Sequence, residues 1–267
     1  MKLATWNINS IRAREERLLT WLGREKPDVL CLQETKVEDA GFPGAALRRA
    51  GYEVAIFGQR SYNGVAIAST APITDVVRGF GDDPADNPGE KPAEKPAEIE
   101  ARAIAATTHG LRVVCVYVPN GQDLASDRYP YKLAWFRRLR AYLERTAAPD
   151  QPLAVCGDMN VAPDDRDVWS PEKWQNQIHC SPPERAALAE MTGFGLTDAF
   201  RHLHGDEKAY SWWDYRGVAF FRDQGLRIDH IYLTQPLVAR CTGCTIDRNA
   251  RKGQDASDHA PVIAVLG

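Results

Sequence analysis

Polar side chains at the end of one apolar segment could take part in metal-dependent chemistry. Residues 153–160 read Leu-Ala-Val-Cys-Gly-Asp-Met-Asn, an apolar run that leads into Asp158 and Asn160. Since alternate residues of an extended chain point to the same side, these two side chains are predicted to leave a strand together. The alternative is that they only form a turn after the strand.

Four other short apolar segments carry acids, amides or a histidine at one end. These polar residues are Asn7 and Asn9, Gln33 and Glu34, Asp229, and Asp258 with His259. Five such ends in one chain favour a single polar site at the edge of a sheet. The oxygen ligands that it would collect, from Asn7, Glu34, Asp158, Asn160 and Asp258, suit Mg²⁺ or Mn²⁺ better than zinc.

A site of this kind could hydrolyse a phosphodiester, because a bound metal ion can neutralise a phosphoryl oxygen and a leaving oxyanion. Asp158 could orient or deprotonate the attacking water. His259 could hydrogen-bond a phosphate oxygen while Asp229 fixes its tautomer, and Tyr117 and Asn120 offer neutral donors to the same phosphate. Taken singly, each residue also has a purely structural explanation, such as a local hydrogen bond or packing at a strand end.

An aromatic stretch at residues 211–215, Ser-Trp-Trp-Asp-Tyr, is followed by Arg216. Tryptophan and arginine could stack on an unpaired sugar or base, or wedge beside a lesion. The alternative is packing in the core. Because neighbouring residues of a strand face opposite ways, we expect one of Trp212 and Trp213 to be buried and the other exposed, and the sequence leaves open which.

The overall composition is that of an ordinary globular protein. The chain has 267 residues, of which 44% are apolar and 26% are charged. No apolar run approaches the roughly 20 residues of a membrane span, and the N-terminus lacks the apolar core of a secretory signal. We therefore expect one domain over residues 1–267, in a monomeric, cytoplasmic protein (nucleoid-associated if bacterial) with no membrane partner.

One segment, at about residues 82–100, departs from this composition. It contains seven acids, two lysines and four prolines, so its net charge is −5 and the rest of the chain carries +2. It has no hydrophobic periodicity and is typical of a flexible surface insertion. Its charge predicts that it lies away from any surface that faces DNA.

The remaining pattern mixes helices with consecutive strand pairs. Helices are predicted over residues 12–24 and 129–145, where leucines recur at helical spacing. Strand pairs are predicted at residues 53–58 with 64–69 and at residues 101–107 with 111–118. This mixture favours two packed sheets flanked by helices over a single parallel sheet.

Seven motifs occur along nearly the whole chain. They are Trp-Asn-Ile-Asn at 6–9, Leu-Gln-Glu-Thr-Lys at 32–36, Tyr-Val-Pro-Asn at 117–120, Gly-Asp-Met-Asn at 157–160, Ser-Trp-Trp-Asp-Tyr at 211–215, Leu-Arg-Ile-Asp at 226–229 and Ser-Asp-His-Ala-Pro at 257–261. In this order they resemble the exonuclease III family of apurinic/apyrimidinic endonucleases, which belongs to the endonuclease/exonuclease/phosphatase superfamily. The motifs at 211–215 and 226–229 indicate the DNA-repair branch.

The resemblance implies an α/β (α+β) fold, a four-layer α-β-β-α sandwich like that of deoxyribonuclease I. It also implies Mg²⁺-dependent incision of double-stranded DNA 5′ to abasic sites, leaving a 3′-hydroxyl, with Mn²⁺ as a possible substitute. Further 3′→5′ exonuclease and 3′-phosphatase activities would act at blocked 3′ ends.

The resemblance also implies a role for each site residue. Glu34 would be the main metal ligand with Asn7 and Asp258 nearby, Asp158 would align the water, and Asn160 would stabilise the transition state. The His259–Asp229 pair and Tyr117 would contact the scissile phosphate, and Trp212 or Trp213 would line the pocket for the extruded sugar. Asn9, Asn120 and Arg216 are further candidates for DNA binding.

Two other functions remain open at this stage. One is a superfamily phosphatase that acts on a phosphoinositide or another small phosphate ester, which the aromatic, arginine-containing stretch disfavours. The other is a nucleic-acid-binding module that has lost catalysis, which the full set of oxygen ligands disfavours.

Overall fold

The computed structural model describes residues 1–81 and 100–267, and within this part twelve strands form two six-stranded sheets. One sheet contains β1 (Lys2–Asn7), β2 (Val29–Gln33), β3 (Glu53–Phe57), β4 (Val65–Ser69), β11 (Cys241–Ile246) and β12 (Val262–Leu266). The other contains β5 (Thr74–Arg78), β6 (Ala103–Thr108), β7 (Leu111–Tyr117), β8 (Leu153–Asp158), β9 (Leu196–Asp198) and β10 (Asp229–Thr234). The predicted acidic insertion lies outside the described residues, apart from Glu100.

The strand orders are β11-β12-β1-β2-β4-β3 and β5-β6-β7-β8-β10-β9. Each sheet is mixed, with one parallel pair at its centre: β1 with β2, and β7 with β8. The predicted pairs β3–β4 and β6–β7 are confirmed as antiparallel neighbours.

The described residues contain seven α-helices. They are α1 (Glu15–Glu25), α2 (Gly44–Arg49), α3 (Arg128–Thr146), α4 (Pro171–Trp174), α5 (Pro182–Thr192), α6 (Ala199–His204) and α7 (Gln235–Val238). Helices α1 and α2 pack on the outer face of the first sheet, and α3 and α5 pack on the outer face of the second. The inner faces of the two sheets pack against each other, so the predicted four-layer α-β-β-α sandwich is confirmed.

This layering explains why the central strands are apolar on both faces. Strands β2, β4 and β8 are buried along their whole length, because helices cover one face and the opposite sheet covers the other. Such strands appear in the sequence as continuous apolar runs, which is why their positions were predictable. Among the described residues, no helix is long and apolar enough to cross a membrane.

Two strands, β5 and β11, were not predicted from the sequence. Both lie at an edge of their sheet, and both have an irregular register with their neighbour. An edge strand is covered less and tolerates bulges, so its hydrophobic alternation is weak.

Candidate active site

The topology brings the polar strand ends to one edge of the sandwich. The parallel pairs β1–β2 and β7–β8 each deliver their C-terminal residues to the same edge, with Asn7 opposite Gln33 and Tyr117 opposite Asp158. Strand β10 runs antiparallel to β8 and therefore begins there, with Asp229 opposite Asp158.

The end of β8 requires a glycine and then a turn. A Cβ atom on Gly157 would lie 1.9 Å from the carbonyl oxygen of Val116, so only glycine allows this close approach. The strand ends at Asp158, whose Oδ1 accepts a hydrogen bond of 2.9 Å from the backbone N–H of Asn160. The two side chains converge as predicted, but through this turn, with φ of +52° at Asn160, rather than along an extended strand.

Two carboxylates and an imidazole form the centre of the site. Ligand atoms of Glu34, Asp158 and His259 all lie within 4.8 Å of one another. The amide nitrogen of Asn7 lies between the carboxylates and donates 2.9 Å hydrogen bonds to Glu34 Oε1 and to Asp158 Oδ2. Hard oxygen donors held this close together fit a divalent cation such as Mg²⁺.

The other two predicted metal ligands lie at this edge but have protein partners. Asn160 donates through its amide nitrogen to Asp158 Oδ2 at 3.3 Å, and its Oδ1 accepts from Asn120 Nδ2 at 3.2 Å. The carboxylate of Asp258 accepts from Asn9 Nδ2 at 2.9 Å and from Trp212 Nε1 at 3.0 Å. The tightest cluster thus contains His259 in place of Asp258, and the roles of Asn160 and Asp258 as ligands stay predictions.

The predicted His259–Asp229 contact is present. His259 Nδ1 lies 2.8 Å from Asp229 Oδ2, which also accepts a 2.6 Å hydrogen bond from Ser211 Oγ. With Nδ1 bonded to this carboxylate, the other ring nitrogen, Nε2, lies 3.8 Å from Asp158 Oδ2. Asp229 therefore fixes the orientation of the ring and directs Nε2 into the site.

Burial and charge perturb the acid–base groups of this centre. Burial raises the pKa of Asp158 to about 7, against the opposing effect of the His259 charge. Burial acts in the other direction on His259, but Asp229 and Asp158 together raise the pKa of His259 to about 10. Perturbed carboxylate and imidazole groups in contact are typical of catalytic sites.

Tyr117 lies beside the Glu34 carboxylate, and Asn120 is joined to the site through its hydrogen bond to Asn160. Burial raises the pKa of Tyr117 well above its usual value, and Glu34, to which its hydroxyl hydrogen-bonds, raises it further. Tyr117 is therefore a neutral hydrogen-bond donor at any physiological pH. The guanidinium of Arg102 lies over its ring, 4.8 Å from the centroid.

The two tryptophans have different environments. Trp213 has no exposed surface, packs edge-on against Phe220 at 5.2 Å, and donates its Nε1–H to Asp223. Trp212 is partly exposed, and its indole bonds Asp258. The prediction that one tryptophan is buried and the other exposed is confirmed in part, since Trp213 belongs to the core and Trp212 is half-buried. Of the two alternatives for the DNA contact, only Trp212 therefore remains.

Arg216 is not brought into the cluster. Its side chain is 91% exposed and pairs with Asp214 at 3.0 Å. Asn9 lies nearer the centre, since it bonds Asp258 and accepts a 2.6 Å hydrogen bond from the Lys36 ammonium.

Three residues of the site were missed by sequence reasoning. The Lys36 ammonium lies 2.8 Å from Glu34 Oε2, and the Tyr215 hydroxyl accepts a 3.4 Å hydrogen bond from Asn9 Nδ2. Both residues belong to sequence motifs, at 32–36 and 211–215, and this membership was the feature of the sequence that could have identified them. His179 Nδ1 bonds the backbone oxygen of Asn160 at 2.6 Å, and no pattern in the sequence marked it.

Comparison with known proteins gives matches over the whole chain. A sequence profile of the Endonuclease/Exonuclease/phosphatase family matches residues 4–259. Exodeoxyribonuclease III of Haemophilus influenzae is 35% identical over 277 aligned residues, which cover 99% of this chain and 99% of that protein.

Two solved structures share the fold along the full length. An AP endonuclease from Archaeoglobus fulgidus superposes with a TM-score of 0.92 at 40% identity, covering 100% of this chain and 99% of that one. A 3′ phosphatase from Neisseria, bound to a product DNA hairpin, superposes with a TM-score of 0.91 at 39% identity, with the same coverage.

Proposed function

We propose that this chain incises double-stranded DNA 5′ to abasic sites. It belongs to the endonuclease/exonuclease/phosphatase family and is a metal-dependent DNA-repair nuclease. It also removes nucleotides and phosphate groups from blocked 3′ ends. The observation that carries the proposal is the cluster of Glu34, Asp158 and His259 within 4.8 Å, with the partly exposed Trp212 bonded to the neighbouring Asp258. The AP endonuclease and the 3′ phosphatase among the similar structures support the two activities respectively.

Glu34 and Asp158 would hold Mg²⁺, with Asn7, Asn160 and Asp258 close by, and Mn²⁺ could replace it. The bound ion supplies charge that neutralises a phosphoryl oxygen and the leaving oxyanion. A divalent ion would also compensate the two neighbouring carboxylates, which both accept hydrogen bonds from the Asn7 amide.

The residues of the chain supply the remaining parts of the hydrolysis. Asp158 accepts a hydrogen bond from the attacking water and orients it toward phosphorus. As the water oxygen bonds to phosphorus and its proton passes to Asp158, the P–O3′ bond breaks and O3′ takes a proton from solvent, leaving a 3′-hydroxyl on one fragment and a 5′-phosphate on the other. His259 Nε2, Tyr117 and Asn120 donate hydrogen bonds to the phosphate oxygens, where negative charge develops.

The proposed partner is duplex DNA bound by a monomer in the cytoplasm. The net charge of +2 outside the acidic segment is compatible with a DNA-binding face. Trp212 would stack against the extruded sugar, since its ring lies at the site and keeps an exposed surface.

A panel of four substrates tests the proposal: a duplex with one abasic site, an undamaged 3′-recessed duplex, a duplex ending in a 3′-phosphate, and a phosphoinositide. We expect Mg²⁺-dependent cleavage of the abasic duplex and slower processing of the two 3′ ends. Cleavage of the 3′ ends alone would restrict the function to 3′ processing and contradict the abasic-site assignment. Turnover of the phosphoinositide alone would contradict the choice of DNA as substrate.

A further inference from the structure

A cavity lies next to the proposed active site, at the same edge of the sandwich, and has no part in the chemistry described above. Its volume is about 260 Å³, and its walls include Tyr215, Phe220, Phe221, Arg251 and Lys252. Tyr215 connects it to the catalytic site, because its hydroxyl bonds Asn9, which in turn bonds Asp258.

Arg251 is the unusual residue of this cavity. It is only 9% exposed, and its guanidinium carbon lies between two rings, 4.9 Å from the centroid of Tyr215 and 5.2 Å from that of Phe220. No hydrogen bond or ion pair joins its side chain to residues 1–81 or 100–267, and its buried Nε has no partner. Because buried charges are normally paired, this guanidinium lacks an acceptor that a ligand could supply.

The neighbouring Arg248 has a different arrangement. Arg248 also stacks on Phe220, at 4.2 Å. Two of its nitrogens, however, have partners, since Nε donates to Asp223 Oδ1 at 3.2 Å and one Nη donates to the Phe220 carbonyl at 2.8 Å.

The charge balance of the cavity favours an anion. Arg251 and Lys252 line it together with one acid of the described residues, Asp214, which is already paired with Arg216 at 3.0 Å. Phe221 stands at the same cavity with 85% of its surface exposed. An unpaired guanidinium, a lysine and an exposed aromatic ring match a phosphate that is attached to a sugar.

We propose that this cavity binds a backbone phosphate of the DNA substrate, away from the scissile bond. Arg251 donates the hydrogen bonds, Lys252 adds charge, and Phe221 packs against the adjoining sugar. A DNA strand is the favoured source of the phosphate because the Tyr215 wall is hydrogen-bonded to the catalytic site, so that a strand cleaved there passes the cavity. The inference rests on the proposed nuclease function.

The first test compares Arg251→Gln with Arg248→Gln as a matched control. Arg251→Gln should weaken duplex binding about tenfold, as expected for losing a charged hydrogen bond, and should leave kcat unchanged. The slope of the logarithm of the binding constant against the logarithm of salt concentration should fall by the amount expected for about one phosphate contact fewer. Arg251→Lys should recover part of the loss, and Arg248→Gln should change affinity less than twofold. Equal losses for both arginines would overturn the proposal, since they would indicate packing.

The second test replaces single DNA phosphates with neutral methylphosphonates. At one position the replacement should weaken binding by the wild type but leave binding by Arg251→Gln unchanged. If the replacement weakens binding by the wild type and by Arg251→Gln equally at every position, Arg251 does not bind a backbone phosphate. Binding of inorganic phosphate that requires Arg251, with duplex affinity unaffected by its removal, would also overturn the DNA assignment.

These binding measurements are made in chelator, where no cleavage occurs. A failure of the nuclease function would appear as an absence of cleavage by the wild type in Mg²⁺. A failure of the phosphate site would appear in the binding comparison alone, so the two results are distinguishable.

Discussion

Hydrogen bonds and close contacts fix the positions of individual side chains in the candidate active site. Asp158 faces Asn7, Asn160 and His259 at once, while Asp229 holds His259 from behind. A carboxylate with this many fixed neighbours is preorganised and needs little rearrangement during the reaction.

Replacing Asp158 with asparagine should lower turnover at least about 100-fold, the usual effect of losing a group that acts on the proton in the transition state. DNA affinity should change little, since the proposed role of Asp158 belongs to the transition state. Single-turnover cleavage and binding in chelator measure the two quantities. Unchanged turnover would refute the role assigned to Asp158.

His179 should make stability depend on pH. Burial and the nearby Lys132 charge lower the pKa of His179 from 6.5 to about 4. Between these two pH values, His179 therefore binds a proton in the unfolded chain but not in the folded protein. Stability contributed by neutral His179 is present above pH 6.5 and falls by about 2 kcal/mol on going to pH 5. Urea unfolding at pH 7 and pH 5 should show this extra loss in the wild type and not in His179→Gln. Equal losses in the two proteins would show that His179 is not kept neutral by the fold.

Which residues could be predicted depends on how they enter the site. Asn7, Glu34 and Asp158 follow short apolar runs, so the sequence already indicated that they lie at strand ends, although it did not show that Asp158 comes from the second sheet. Trp212 and Trp213 could not be told apart, because they are adjacent in sequence and only tertiary packing assigns one of them to the core. His179 lies in a loop with no periodic pattern. It belongs to the site because it bonds the backbone oxygen of Asn160, a contact that cannot be predicted from sequence spacing.

At the scale of elements, helices α3 and α5 support the site from behind the second sheet. Lys132 of α3 and Glu184 of α5 form an ion pair in which both side chains are fully buried. The Lys132 ammonium also donates to the backbone oxygens of Asn120 at 3.0 Å and Asn160 at 2.7 Å. This one cation therefore joins two loops of the site to the helical layer.

Replacing Lys132 with methionine should lower the free energy of unfolding by about 3–5 kcal/mol, because Glu184 would keep an uncompensated buried charge. Adding Glu184→Gln should restore part of this loss. The exposed pair of Arg216 and Asp214 provides the control, and Arg216→Met should leave the free energy of unfolding nearly unchanged, because solvent screens this pair. Urea unfolding measures all three variants. A similar cost for Lys132→Met and Arg216→Met would contradict the role given to the buried pair.

For the whole molecule, we predict from composition that the acidic segment at about residues 82–100 is a separable addition to the sandwich. The described chain on either side of it is tied down: Phe80 packs on Trp135 at 5.0 Å, Gly79 bonds Ala103, and Glu100 accepts from Tyr131. The two sides are therefore already adjacent, and a shorter connection would close at little entropic cost.

Deleting residues 83–98 should leave the free energy of unfolding within about 1 kcal/mol of the wild type. The solvated character predicted from composition is the reason, together with the anchored residues that the deletion keeps. Urea unfolding of the shortened protein gives the result. A large loss of stability would show that the segment packs against the sandwich.

The most direct test of the proposed function is single-turnover cleavage of a duplex with one natural abasic site, in Mg²⁺ and in chelator, by the wild type and by Glu34→Gln. We expect the wild type to cut 5′ to the site in Mg²⁺ alone and to leave a 3′-hydroxyl that a polymerase can extend. Glu34→Gln should need more Mg²⁺ for the same rate, because Glu34 is the proposed ligand. Equal cleavage in chelator, or a cut on the 3′ side of the abasic site, would contradict metal-dependent hydrolysis by this cluster.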